Sequence, residues 1–128
     1  PSELGENTDS FYACHFLPAH LVNEMADIAV LHGGQGTIQT AAWAGTPVIG
    51  IGFQAEQQAN IDGLVRLGMA VRIPIYAVSP KRILKAIQTA LKPNYSKHAL
   101  LVKNKIRATD GVKKSVELMN DFVLNTKM

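Results

Sequence analysis

Short apolar segments alternate with helix-forming segments along this chain, and this alternation restricts the fold more than any other feature. Four apolar segments predict strands, at residues 11–16, 27–32, 48–51 and 70–73. The segment at residues 27–32 contains four consecutive apolar residues without alternation, which is typical of a strand covered on both faces in a parallel sheet. We therefore expect an α/β fold with a Rossmann-like doubly wound parallel sheet. Such sheets usually have more strands, so we expect an incomplete one that lacks strands on its N-terminal side.

Helix-forming composition and capping residues predict the helices. They are expected at residues 21–25, 37–44, 54–67, 81–91, 96–108 and after Asp110. Gly45 and Gly68 are suited to end helices, Ser79 to cap one and Pro93 to interrupt one. The last helix has its apolar residues on one face, at Val112, Val116, Met119, Phe122 and Val123.

A length of 128 residues predicts one domain. We interpret residues 1–10 as a polar tail or loop and residues 11–128 as a partial Rossmann-like domain, in which residues 79–128 form a basic helical part. Because the chain begins with Pro1 and shows no signal peptide, we expect either a removed segment or a piece of a longer protein.

Charge and cysteine content narrow the function classes. Residues 1–79 hold two basic and seven acidic residues, whereas residues 80–128 hold eleven basic and three acidic ones. We favour a solvated lysine-rich surface, with contact to an anionic partner such as a membrane as the alternative.

A single Trp and no interleaved aromatics argue against nucleic-acid binding. No apolar run reaches the ~20 residues of a membrane span. The lone Cys14 fits a reducing compartment, so we expect a cytoplasmic protein, with membrane-peripheral contact left open.

The segment most suggestive of a binding site is a glycine-rich turn between a predicted strand and a predicted helix. It reads His32-Gly33-Gly34-Gln35-Gly36-Thr37. A helix start presents free backbone N–H groups and the positive end of the helix dipole, where phosphates bind. The alternative is a tight connection without a ligand, since the spacing matches neither a Walker loop nor the Gly-x-Gly-x-x-Gly pattern.

A second polar segment follows the next strand. Glu56 and Gln57 begin the helix at residues 54–67, and such side chains hold sugar hydroxyls. The alternative is an ordinary polar helix start, in which the dipole favours Glu56. Because neighbouring parallel strands end at one edge of the sheet, we expect both segments to line one crevice.

These residues resemble the donor-binding signature of GT-B-fold glycosyltransferases, particularly bacterial and UDP-glucuronosyltransferase-like families. The matching elements are, in order, Phe16-Leu17-Pro18-Ala19, His32 to Thr37, Gly45-Thr46-Pro47, Glu56-Gln57-Gln58-Ala59-Asn60 and Gly68. Phe16 replaces the common Trp, Ala19 a Gln, Thr40 a ribose-binding Glu, and Glu56 an Asp of the family pattern.

The resemblance implies roles for these positions. Residues facing the donor diphosphate are expected to be His32, Gly34, Gln35, Gly36 and Thr37. Residues facing the nucleobase and ribose are expected to be Phe16, Leu17 and Thr40, and those facing the donor sugar Glu56 and Gln57. It implies no metal or cofactor, because the UDP- or dTDP-linked donor is a substrate. We assign no catalytic residue.

The implied function is the nucleotide-sugar-binding part of a hexosyltransferase. We expect this chain to be inactive alone, because the acceptor site of such enzymes belongs to an N-terminal domain or a partner chain. The alternatives are a non-catalytic nucleotide-sugar-binding module, a subunit of a two-chain transferase, and part of a nucleotide-sugar epimerase. A homo-oligomer and peripheral membrane contact through the basic C-terminal helices are left open.

Overall fold

A computed structural model describes residues 8–125 of the chain and confirms the α/β class. Three parallel strands lie in the order β1-β2-β3, with Ala29, Val48 and Ala70 in register. The elements are α1 (Ala19–Met25), β1 (Ala29–Leu31), α2 (Gln35–Ala44), β2 (Val48–Gly50), α3 (Ala55–Arg66), β3 (Ala70–Arg72), a 3₁₀ turn (Ile75–Ala77), α4 (Pro80–Ala90), α5 (Pro93–Arg107) and α6 (Gly111–Asn125). Residues 1–7 of the predicted polar tail lie outside the described residues.

The predicted strand at residues 11–16 is wrong. This segment is irregular apart from one isolated bridge, in which the Thr8 N–H donates to the Phe11 carbonyl at 2.7 Å. The apolar pattern predicted a buried strand, but Phe11, Tyr12 and Phe16 are all exposed in the structure. A strand needs a neighbour for its backbone groups, and β1 has only β2 beside it among the described strands.

Most predicted helix ends are confirmed by backbone geometry. Gly45 and Gly68 follow α2 and α3 with φ of 77° and 76°, a conformation that favours glycine. The Ser79 hydroxyl accepts from the Arg82 N–H at 3.3 Å at the start of α4. The break predicted at Pro93 is only partly correct, because α4 ends before it, at Ala90, and Pro93 begins α5. The expected start of that helix at residue 96 is therefore wrong. Proline fits the first turn of a helix, where its missing N–H has no intrahelical acceptor.

Side chains alternate between the two faces of the sheet. On one face, β2 and β3 pack against α2, α3 and α5 through Val48, Ala70, Ile61 and Ala99, all buried. On the other face, α4 is the helix among the described residues that covers Ile49 and its neighbours. The expected two-sided burial therefore holds in the centre of the sheet.

Two-sided burial fails at β1. Val30, Ile49 and Val71 lie in one row across the sheet, yet Val30 is 54% exposed while Ile49 is fully buried. The buried cluster on this face joins α4 to β2 and β3, and Val30 is not part of it. The prediction that residues 27–32 are covered on both faces is therefore wrong for this residue.

The C-terminal helix forms as expected but buries none of its residues. Asp110 Oδ1 accepts from the Lys113 N–H at 2.9 Å, so the predicted cap is confirmed. The five predicted apolar positions are all more than half exposed. Within residues 8–125, no helix combines the length and apolar character that crossing a membrane requires.

Candidate functional site

The glycine-rich turn joins β1 to α2 and leaves helix donors free. Gly33 adopts φ 90°, and Gly34 takes the N-cap position without a side-chain cap. The first intrahelical bond of α2 runs from the Ile38 N–H to the Gly34 carbonyl at 3.0 Å. The N–H groups at positions 35–37 therefore have no acceptor within the helix. Together with the helix dipole, they form a place suited to an anion.

His32 lies against this helix start. A Cβ added to Gly34 would stand 2.9 Å from His32 Cε1 and 3.1 Å from Nε2, so the imidazole packs directly on the Gly34 backbone. The ring itself is exposed. Gly36 has open space where a side chain would be, so a ligand can approach the helix backbone there. Gln35 is exposed beside it.

The two threonines make hydrogen bonds within α2. Thr37 Oγ1 donates to the Gly34 carbonyl at 2.8 Å, and Thr40 Oγ1 donates to the Gly36 carbonyl at 2.7 Å. Thr37 is expected to face the diphosphate, and its hydroxyl would have to rotate away from Gly34 to donate to a phosphate oxygen. Thr40 lies one turn further along α2, on the side of the helix that Gly36 occupies.

Gln57 organises the second polar segment. Its Oε1 accepts from the backbone N–H of Phe53 at 2.9 Å and of Gln54 at 3.3 Å, which forms a capping box at the start of α3. The oxygen of Gln57 is therefore committed to the loop. Glu56 lies beside it in the first turn, where the helix dipole favours a carboxylate, and is exposed.

The two predicted segments meet in the structure. A Cβ on Gly33 would lie only 2.6 Å from the Gln57 carbonyl, so the turn and α3 are in close backbone contact. Asn60 Nδ2 donates to the Gly33 carbonyl at 3.0 Å and lies 3.5 Å from Glu56 Oε1. The expected crevice thus brings residues 32–37 together with Glu56 and Gln57. Sequence reasoning assigned no role to Asn60, although its position four residues after Glu56 placed both on one side of the helix.

Arg72 holds α3 against the sheet. Its guanidinium contacts both Asp62 oxygens at 2.8 and 2.9 Å and Gln58 Oε1 at 2.7 Å. These three side chains are partly buried, and the two-atom contact to Asp62 fixes their geometry. The start of α3 is thereby anchored to β3 as well as to the glycine-rich turn.

Phe16 and Leu17 are not joined to the crevice by any hydrogen bond within residues 8–125. They are 81% and 48% exposed in the irregular segment before α1. The helix that follows is fixed to the body by two contacts. Thr46 Oγ1 donates to the Asn23 carbonyl at 2.5 Å, and Glu24 pairs with Arg107 at 2.6 Å. The nucleobase role of Phe16 and Leu17 stays a prediction.

Comparison with known proteins places this chain in a family. The model of the erythromycin biosynthesis protein CIII-like, C-terminal domain, matches residues 2–117. UDP-glucuronosyltransferase 2B17 of Mus musculus is 33% identical over 103 residues, which are 78% of this chain and 19% of the mouse protein.

Solved structures share the fold. The crystal structure of the glycotransferase of kitacinnamycin matches with a TM-score of 0.75 and 31% identity over 83% of this chain and 28% of that chain. Glycosyltransferase VinC, solved in complex with dTDP, matches with a TM-score of 0.83 and 20% identity over 94% of this chain and 31% of that chain. The chain thus spans about a fifth of the curated relative and about a third of these solved structures.

Proposed function

Because the chain belongs to the erythromycin biosynthesis protein CIII-like C-terminal domain family of GT-B glycosyltransferases, we propose that it binds the donor for hexose transfer. The donor is a nucleoside diphosphate sugar, UDP- or dTDP-linked. The observation that carries this proposal is the contact between the start of α2 and the start of α3. Free backbone donors and His32 lie on one side of that contact, and Glu56 lies on the other.

The geometry supports a division of roles along the crevice. The N–H groups at positions 35–37, with His32 and Gly34, would hold the diphosphate. The positive end of the helix dipole at that point stabilises the negative charge that grows on the leaving diphosphate, which lowers the barrier to transfer. Glu56 and the Gln57 amide nitrogen would hold sugar hydroxyls. Phe16, Leu17 and Thr40 are our candidates for the nucleobase and ribose.

The acceptor site and the catalytic base are proposed to come from protein outside these residues. The chain spans only part of its relatives, and the exposed Val30 beside the fully buried Ile49 marks a sheet face that further protein would cover. We therefore expect the 128-residue chain to bind nucleotides without transferring sugar. We place the protein in the cytoplasm, and leave a homo-oligomer and peripheral membrane contact through the basic helices as secondary proposals.

Nucleotide titration of the 128-residue chain tests this proposal. UDP or dTDP at one hundred times its Kd should stabilise the fold by about 2.7 kcal/mol, seen as a raised Tm. The sugar-linked forms should bind more tightly than the free diphosphates because Glu56 adds contacts. If neither UDP, dTDP nor their glucose conjugates raise the Tm, the proposed function is ruled out.

Two glycine variants localise the binding. Gly36 and Gly63 both have open space for a Cβ and both lie within helices, but only Gly36 belongs to the crevice. Replacing either by Ala should leave the fold intact or stabilise it by up to about 1 kcal/mol. Only Gly36→Ala should weaken nucleotide binding, because its methyl group occupies the ligand's approach. Equal affinities in the two variants would place the nucleotide elsewhere.

A further inference from the structure

Asn60 contacts both halves of the candidate site. It lies on α3 one turn after Glu56 and is partly buried. Its Nδ2 donates to the Gly33 carbonyl at 3.0 Å and lies 3.5 Å from Glu56 Oε1. One carboxamide nitrogen has two protons, which is enough to serve both oxygens.

The Gly33 carbonyl and the Gly34 N–H belong to one planar trans peptide unit. In such a unit the C=O and N–H point in opposite directions. Because Asn60 holds the carbonyl toward α3, the Gly34 N–H must point away from α3. Within residues 8–125, this N–H has no hydrogen-bond acceptor. It is therefore a free donor next in sequence to those at positions 35–37.

The His32 ring packs on Gly34, but within residues 8–125 the peptide that joins Gly33 to Gly34 makes one hydrogen bond, the one from Asn60. This peptide lies between two glycines, which lack side chains and tolerate both signs of φ, so rotation of the unit meets little steric resistance. The close approach of Gly33 to the Gln57 carbonyl holds the Cα in place but does not hold the carbonyl direction. The Asn60 hydrogen bond therefore favours the orientation in which the Gly33 carbonyl faces α3.

We propose that Asn60 is a positioning residue: it aims the Gly34 N–H at the donor diphosphate and restrains the Glu56 carboxylate toward the sugar. This inference rests on the proposed function of the site. Because one side chain acts on both segments, the diphosphate and the sugar are held in a fixed relation. Loss of Asn60 should weaken binding of the diphosphate even though Asn60 does not touch it.

NMR titration of the unmodified chain tests the inference without a mutation. Pyrophosphate and UDP-glucose are the probes. We expect the Gly34 amide and the Asn60 side-chain NH₂ signals to shift with the same Kd. If the amides at positions 34–37 respond to neither probe, the proposed function fails and this inference fails with it. If those amides respond and the Asn60 NH₂ does not, only the inference is overturned.

Asn60→Ala and Asn60→Asp test the consequence, with Asn104→Ala and Asn104→Asp as matched controls on the exposed side of α5. Both Asn60 variants should lose about tenfold or more in affinity for pyrophosphate, in line with the strength of a hydrogen bond to a charged group. The Gly34 amide should lose its response to pyrophosphate in both Asn60 variants and keep it in both controls. A merely structural Asn60 would lower the Tm and leave the Gly34 response intact, which would overturn the proposal.

Discussion

Equally clear sequence patterns predicted the crevice between α2 and α3 and the C-terminal helix α6, but the two regions differ in how far their residues are buried. In the crevice, Gly33 touches the Gln57 backbone, and Ile61 beneath it is fully buried. In α6, a regular apolar stripe forms a capped helix with no buried residue. Local patterns therefore decide that a helix forms, whereas burial depends on what packs against it.

The two regions should differ most in the unfolding free energy that is lost when an apolar side chain is truncated to Ala. Ile61→Ala removes a fully buried side chain that packs against Gly33, Gly50 and Gly52, and should cost about 2–5 kcal/mol of unfolding free energy. Met119→Ala in α6, where the side chain is 67% exposed, should cost about 0.5 kcal/mol or less. Urea unfolding followed by circular dichroism measures both. Equal losses would show that α6 packs against something in solution.

The next largest difference in stability between the two regions is expected when a glycine is replaced by Ala. Gly33→Ala meets φ 90° and a backbone oxygen 2.6 Å away, so it should destabilise the fold by about 1–3 kcal/mol. Gly111→Ala at the start of α6 enters open space and should change stability by less than about 1 kcal/mol. Thermal unfolding of the two variants gives the comparison. A neutral Gly33→Ala would mean that the turn is looser than described.

Removal of a helix cap should show whether that helix unfolds together with the core of the protein or separately from it. Ser79→Ala removes the cap of α4, which packs on the sheet, and should lower global stability by about 1 kcal/mol. Asp110→Ala removes the cap of α6 and should fray that helix without shifting global unfolding. Amide hydrogen exchange distinguishes the two. A global loss in Asp110→Ala would indicate that α6 unfolds together with the core.

The smallest effect is expected for the exposed ion pairs, one at the end of α5 and one within α6. Arg107 pairs with Glu24 at 2.6 Å and lies 5.3 Å from the centre of the Trp43 ring. Because both charged side chains are more than a third exposed, Arg107→Gln should cost only about 0–1 kcal/mol, and less at high salt. Lys114→Gln, whose partner Glu117 is 3.9 Å away, should have no measurable effect. Unfolding at low and high salt tests both variants.

Sequence reasoning predicted the parts of the site that depend on nearby residues. It identified the glycine-rich turn, the polar start of α3 and their common edge of the sheet, because strands and turns carry signals within a few residues. It did not assign a role to Asn60, whose contact with Gly33 spans 27 positions. It expected Thr37 to face a phosphate, whereas its hydroxyl donates to Gly34. The roles of all these residues toward a ligand remain predictions.

The sequence by itself determined the elements of this protein. Positive φ at Gly45 and Gly68, the caps at Ser79 and Asp110, and the apolar runs of the three strands follow from short-range sterics and hydrogen bonding. Only the tertiary structure decided which apolar residues are covered. Among residues 8–125, the segment at residues 11–16 has no neighbouring strand, Val30 is not part of the cluster under α4, and α6 buries no residue. Burial requires a surface contributed by another part of the protein, and no local pattern specifies whether that surface is present.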